Sequence, residues 1–132
     1  MAMNDLVSDM LSRIRNAVRG NKRTVRVIGN RTCIGVAEVL KKAGYVEDFV
    51  ATRVGTQPVL ELTLRYGRFG EKLINELVRM SKPGRRVYVG VDQIPKVRSG
   101  MGVCILSTPK GVLAGHEAAR LKMGGELICT VS

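Results

Sequence analysis

At 132 residues the chain is long enough for one domain or two small lobes, and 45% apolar residues supply a modest packed core. Lys and Arg number 22 against 11 acids, for a formal charge of +11 and a pI near 10.2, so a polyanionic partner is indicated: nucleic acid first, an anionic membrane second. No run approaches the ~18 apolar residues of a spanning helix, which sets the membrane aside. Met1 to Asp5 shows no basic leader with an apolar stretch behind it, so no secretory signal is read there.

In chain order, Leu6, Val7, Met10, Leu11, Ile14, Ala17 and Val18 recur at helical spacing and predict an amphipathic helix from Asp5 to Arg19, ended by Gly20. Its other side aligns Ser8, Ser12, Arg15 and Arg19 in a stripe suited to following a phosphate backbone. Between Met10 and Ala37 stand seven basic residues, Arg13, Arg15, Arg19, Lys22, Arg23, Arg26 and Arg31, and no acid. A solvated polar face would normally mix signs, so this run reads as a source of nonspecific phosphate contacts.

Val25, Val27 and Ile28 predict a short strand. Thr32 is the expected cap of a second helix whose inner face holds Cys33, Val36, Ala37, Leu40 and Ala43, closed by Gly44. Tyr45 to Val54 reads as a strand, Gly55-Thr56-Gln57-Pro58 as a turn, and Leu60, Leu62, Leu64 and Tyr66 as one face of the returning strand. Lys72 to Met80 is ambiguous: Leu73, Ile74, Leu77 and Val78 fit a helical face, yet the segment is short. After a turn at Lys82-Pro83-Gly84, short apolar runs at Val87 to Val91, Val103 to Leu106 and Leu127 to Val131 predict a β-rich lobe, with a helix around His116 to Lys122 closed by Gly124-Gly125.

Chemistry-bearing motifs are sparse. Gly100-Met101-Gly102 lacks the third glycine of a nucleotide-binding loop, and His116-Glu117 lacks the second His of a zinc protease, so His116 reads as an exposed residue at a helix start. Cys33, Cys104 and Cys129 sit among apolar neighbours without any Cys-x-x-Cys pair; they read as buried thiols in a reducing cytosol, with no disulfide and no metal site. Richer is Ser81-Lys82-Pro83-Gly84-Arg85-Arg86-Val87-Tyr88, where a Pro-Gly turn projects Lys82, Arg85 and Arg86 toward phosphates and Tyr88 toward a ribose or base. Lys96, Arg98 and Lys110 extend this basic surface. Ser107-Thr108-Pro109-Lys110-Gly111 offers two hydroxyls, a cation and a glycine that can approach an irregular RNA closely.

Gly102-Val103-Cys104-Ile105-Leu106-Ser107-Thr108-Pro109-Lys110-Gly111-Val112-Leu113, with Glu117-Ala118-Ala119-Arg120-Leu121 and Gly124-Gly125-Glu126-Leu127-Ile128-Cys129, closely resembles the bacterial small-subunit ribosomal protein eight family. So do Asp9 to Ala17 and Ser81 to Tyr88, and the resemblance spans nearly the whole chain. It implies a two-lobed α+β fold: an N-terminal α-β-α-β-β lobe over residues 1–70, and an antiparallel β-rich lobe with one short helix over residues 71–132 that binds rRNA. It further implies a strand for Lys72 to Met80. The implied function is that of a structural constituent of the small ribosomal subunit, without catalysis, cofactor or small-molecule substrate. Such a protein binds the central domain of 16S rRNA, helps assemble the subunit platform beside neighbouring small-subunit proteins in the cytoplasm, and in a second reading represses its own operon mRNA through the same surface.

Residue by residue, the resemblance points to Ser107, Thr108, Lys110, Gly124, Gly125 and Glu126 as the rRNA contacts, with Lys82, Arg85, Arg86, Tyr88, Arg13 and Arg15 supporting. Near phosphates Glu126 would repel, so its expected role is to accept from base amines, to orient Lys110 and hydroxyls, or to cap Gly124-Gly125. Three departures stand out. Pro109 replaces the family's second serine and lacks both hydroxyl and N–H. Ala114-Gly115-His116 replaces Thr-Asp-Arg, with Gly115 as the substitute N-cap. Asn4-Asp5-Leu6 replaces Thr-Asp-Pro, keeping a cap but losing the first-turn proline. The competing class is an architectural or nonspecific nucleic-acid binder that would prefer duplex DNA.

Overall fold

The computed structural model describes residues 5–132; Asn4 and the start of the chain lie outside them. The chain forms two compact units, one running through Asn75 and the other from Glu76 to Ser132.

In the first unit, α1 spans Leu6–Arg19 and buries Val7, Met10, Leu11, Ile14, Ala17 and Val18, the stripe that the spacing predicts except for Leu6, which is half-buried. Asp5 caps it, accepting the Ser8 N–H at 3.0 Å. β1 (Thr24–Ile28) leads to α2 (Arg31–Lys42), and β2 (Val46–Val54) and β3 (Gln57–Leu64) form a hairpin. The three strands make an antiparallel sheet in the order β1-β3-β2. Leu60, Leu62 and Leu64 of β3 are buried while Glu61 is exposed, the alternation of a sheet covered on one face.

Two local expectations shift here. The cap of α2 is Asn30, whose side-chain oxygen accepts the Cys33 N–H at 2.9 Å; Thr32 already lies inside the helix. Both residue types suit a cap, but Asn30 has the extended backbone (φ −133°, ψ −173°) that a cap requires. At the other end Gly44, at φ +88°, donates to Lys41 O while the Tyr45 N–H reaches Leu40 O, closing the helix in a left-handed turn. The hairpin turn is tighter than expected, because Gln57 and Pro58 pair with Val54 and Arg53 and leave only Gly55-Thr56 at the tip.

The second unit is a sheet in the order β4-β8-β6-β7, with β5 also pairing with β8. Its strands are β4 (Leu77–Arg79), β5 (Tyr88–Val89), β6 (Val103–Thr108), β7 (Gly111–Ala114) and β8 (Gly125–Val131), with α3 (Gly115–Arg120) between the last two. Cys104, Leu106 and Leu127 pack with Ala118 of α3, and Val87, Val89, Ile94, Val97 and Leu113 close around them. Burying each large side chain of this cluster contributes roughly 1.5–3 kcal/mol.

The extended form expected for Lys72 to Met80 holds over Leu77–Arg79, where β8 supplies a ladder; the residues before them are not in a strand. β7 follows β6 through a turn too short to show in the hydrophobic pattern. Gly124-Gly125 do not close α3. The chain leaves the helix at Leu121 and Lys122, the latter at φ +56°, and Gly125 already belongs to β8. Nor is Gly115 the cap of α3: Ala114 holds that position without a side-chain bond, and Gly115 is the first helical residue. A Cβ on Gly115 would lie 2.2 Å from Cys104 Sγ, so the glycine makes room for the thiol.

Asn30→Ala should lower stability by about 1 kcal/mol, while Thr32→Ala should cost clearly less. Urea unfolding of the two variants followed by circular dichroism measures this; equal losses would contradict Asn30 as the cap.

Candidate nucleic-acid interface

Pairing along β8 builds the site. Glu126 stands opposite Tyr88 of β5 on one side and Ser107 of β6 on the other, and directly opposed residues point to the same side of a sheet. Leu106 and Leu127, their neighbours in sequence, point into the α3 cluster, so Tyr88, Glu126 and Ser107 form a row on the opposite face. Tyr88 is 70% exposed, and Ser107 and Glu126 are half-buried.

Ser107 and Thr108 lie in a strand. Both are the last residues of β6 and alternate in face, and the turn proper is Pro109-Lys110. The Thr108 hydroxyl is occupied within it, donating to Gly111 O at 2.8 Å and accepting the Lys110 N–H at 3.2 Å. Proline suits the second position of such a turn because its φ is fixed near −65°, and Gly111 completes it at φ +107°. Lys110 projects exposed from the tip.

Gly124 and Gly125 have a steric role. A Cβ on Gly125 would lie 2.1 Å from Ser107 O, and one on Gly124 would lie 2.3 Å from Val89 O. These two residues run between backbones where no side chain fits.

Glu126 neither orients Lys110 nor caps the glycines. Its Oε2 accepts from the Ser81 hydroxyl at 2.5 Å and from Arg86 Nη1 at 3.0 Å, and Ser81 Oγ in turn accepts the Val87 N–H at 3.1 Å. Ser81 is wholly buried. Burial works against the charge on Glu126, but the hydrogen bonds from Ser81 and Arg86 and the positive charges of Arg86 and Arg79 outweigh it, holding the carboxyl below its ordinary value. Sequence reasoning missed Ser81 as the tie between the 81–86 turn and β8; a serine before a Lys-Pro-Gly turn carries no pattern that reveals burial.

That turn is closed by mutual backbone bonds between Lys82 and Arg85, at 3.0 and 2.9 Å, around Pro83-Gly84. Lys82 and Arg85 are exposed on it, whereas Arg86 is committed in part to Glu126. The structure thus brings the cations of the Lys-Pro-Gly turn to the row containing Glu126, and places Lys110 at the β6–β7 tip. Lys96 is exposed just before the 3₁₀ turn Val97–Gly100 that precedes β6, and Arg98 is exposed within it.

Arg13 and Arg15 belong to the first unit, where both the basic run and the stripe of Ser8, Ser12, Arg15 and Arg19 are partly spent. Arg13 Nε is 2.9 Å from Asp9 Oδ2, one helical turn away, Arg15 is half-buried with an interaction of its own, and the Ser8 hydroxyl donates to Asp5. Arg26 meets Glu61 across the sheet at 3.2 Å. A run without acids in sequence thus gains acids on folding.

The cysteines are free and buried. Burial raises the Cys104 thiol and pushes Cys129 up to about 12, so neither is a thiolate near neutrality. An open cleft beside α3 is lined mainly by Ile94, Pro95, Val97, Cys104 and Ala119, with His116 and Lys96 contributing polar groups and no carboxylate among its walls.

The fold and the row define a basic, two-unit α+β protein whose cations and hydroxyls converge on one sheet of its C-terminal unit. The family model for ribosomal protein S8 matches residues 5–132. The chain is 47% identical over 131 residues to the small ribosomal subunit protein uS8 of Anaeromyxobacter sp. (strain K), covering 99% of both chains. It is 46% identical to the uS8 of Rubrobacter xylanophilus, again over 99% of both, and 48% identical to that of Paracoccus denitrificans over 133 aligned positions. The chain belongs to the ribosomal protein S8 family.

A carboxyl lowered by folding stabilises above its unfolded-state pKa, and that contribution is lost as pH falls through the folded value. The stability difference between the wild type and Glu126→Gln should therefore be full above about pH 5.5 and shrink toward pH 3. Denaturant unfolding at a series of pH values measures it; a difference constant across the range would exclude the ionised carboxylate as the stabilising species.

Proposed function

We propose that this chain is a primary rRNA-binding protein of the small ribosomal subunit, which holds the central domain of 16S rRNA through its C-terminal lobe, residues 71–132, and helps order the subunit platform among neighbouring proteins in the cytoplasm. Membership of the S8 family supports the structural role in the small subunit. The observation that carries the site is the row of Tyr88, Glu126 and Ser107 with Lys82 and Arg85 on the tethered turn beside it. In the mechanism we propose, exposed Lys82, Arg85 and Lys110 meet phosphates and give affinity, while Ser107 and Tyr88 meet a base or a 2′-hydroxyl and give selectivity. Glu126 acts by fixing Ser81 and Arg86; Gly124 and Gly125 act by letting the strands approach. Arg13 and Arg15 are assigned supporting contacts on the first unit. Repression of its own operon mRNA would use the same surface.

Binding to the central-domain fragment of small-subunit rRNA, at near-physiological salt with duplex DNA and scrambled RNA as competitors, tests the reading. Tight binding should survive competition and fall about tenfold in Ser107→Ala, the loss of roughly one hydrogen bond. Equal displacement by every polyanion would make the chain a nonspecific binder, since charge alone gives salt-sensitive affinity for any nucleic acid. Thr108→Ala is a less direct probe, because that hydroxyl also holds its own turn.

Pro109→Ser adds a hydroxyl and an N–H at the β6–β7 tip and should bind the same fragment more tightly than the chain as it stands. Equal affinity of the two would show that the tip makes no polar contact at this position.

A further inference from the structure

Phe69 is 89% exposed and is one of two phenylalanines in the chain. A ring of this size left in water forgoes the gain of burial, and the backbone around it is fixed by hydrogen bonds. The Phe69 N–H donates to Glu71 Oε2 at 3.0 Å. The Gly67 N–H donates to Glu71 O at 2.8 Å, and the Gly70 N–H to Gly67 O at 3.0 Å. Gly70 adopts φ +81°, a conformation that favours glycine. A Cβ on Gly67 would lie 1.8 Å from Glu71 Oε1 and 2.5 Å from its Cγ, so that glycine leaves the space into which the carboxylate folds.

At the base of the turn Tyr66 pairs with Lys72, and its hydroxyl donates to the Lys22 carbonyl. The ring is thus presented on a fastened turn, next to exposed Arg68 and Lys72, with Lys22 on the segment that Tyr66 holds. Glu71 is the acid within this turn, and its carboxylate is engaged with a backbone N–H. An exposed aromatic side chain on a turn that also bears exposed Arg68 and Lys72 matches a nucleotide, which offers a π-face and a phosphate together. An apolar protein pocket would match the ring but would have to accommodate the flanking charges, so the polyanion is favoured.

We propose that Phe69 is a stacking platform for an unpaired RNA base, with Arg68 and Lys72 on the flanking phosphates. It is a further RNA contact on the N-terminal unit, besides those assigned to Arg13 and Arg15, and separate from the row on β8. It rests on the reading of the chain as an RNA-binding protein, and names a further part of the surface that does the binding.

The chain has no tryptophan, so Phe69→Trp in the full chain installs a single fluorescent reporter at the ring position. Titration with the central-domain rRNA fragment should quench it, and Phe69→Ala should weaken binding to that fragment about tenfold while Phe69→Tyr stays close to wild type. If binding stays tight, selective and sensitive to Ser107→Ala, yet Phe69→Ala is unchanged and the indole is not quenched, the platform is overturned and the rRNA reading stands. If every polyanion displaces the RNA equally, the rRNA reading fails, and titration with single-stranded oligo(A) decides the platform alone: quenching supports it and its absence overturns it.

Discussion

Strand β8 pairs with β6 along one edge and with β4 and β5 along the other. β4 and β5 therefore acquire their strand partner only when the last residues of the chain are in place, and β6, already paired with β7, gains its second; the loop-closure entropy of bringing these segments together is offset by the burial that follows. Leu127, Cys129 and Val131 supply apolar surface, and Gly124 and Gly125 admit the close approach of backbones on either side. With the strand so enclosed, the one long polar side chain it bears, Glu126, emerges between β5 and β6 and meets Ser81 and Arg86. The turn that displays Lys82 and Arg85 is fastened through that carboxylate.

Charge is distributed by the same logic of placement. The unit through Asn75 has thirteen Lys and Arg against seven acids, and the unit from Glu76 has nine against four, so both present an excess to a polyanion. Within each, acids fall beside particular cations: Asp9 with Arg13, Glu61 with Arg26, Asp48 with Lys41, Glu126 with Arg86. The exposed pairs contribute little stability, ~0–1 kcal/mol; their larger effect is to tie up side chains that would otherwise be free for phosphates. Cations on turns, such as Lys82, Arg85 and Lys110, keep their reach.

Much of the fold was legible because periodicity reports burial directly. The stripe of α1 and the alternation of β3 need no information beyond which residues avoid water. Capping was half legible: Asp5 and Gly44 perform as their types suggest, but Asn30 and Thr32 are both good caps by type, and the choice belongs to backbone geometry. The short strands escaped for a related reason. Leu77–Arg79 and Gly111–Ala114 are extended because β8 and β6 offer them hydrogen bonds, and a segment of three or four residues has no period of its own to show. The Lys-Pro-Gly and Ser-Thr-Pro-Lys-Gly segments stood out as turns rich in donors, yet nothing in them shows that Thr108 spends its hydroxyl locally or that Ser81 is buried.

By itself the sequence determined the charge excess, the α+β class, the buried cysteines and the family, because each follows from composition, from spacing along one element, or from the identity of contiguous residues. Tertiary structure alone decided which groups share a surface. Tyr88, Ser107 and Glu126 lie in one row since three strands far apart in the chain adopt one register, and a shift of one residue would send Glu126 to the opposite face. Register depends on pairwise packing summed over the whole sheet, a quantity that no single segment carries.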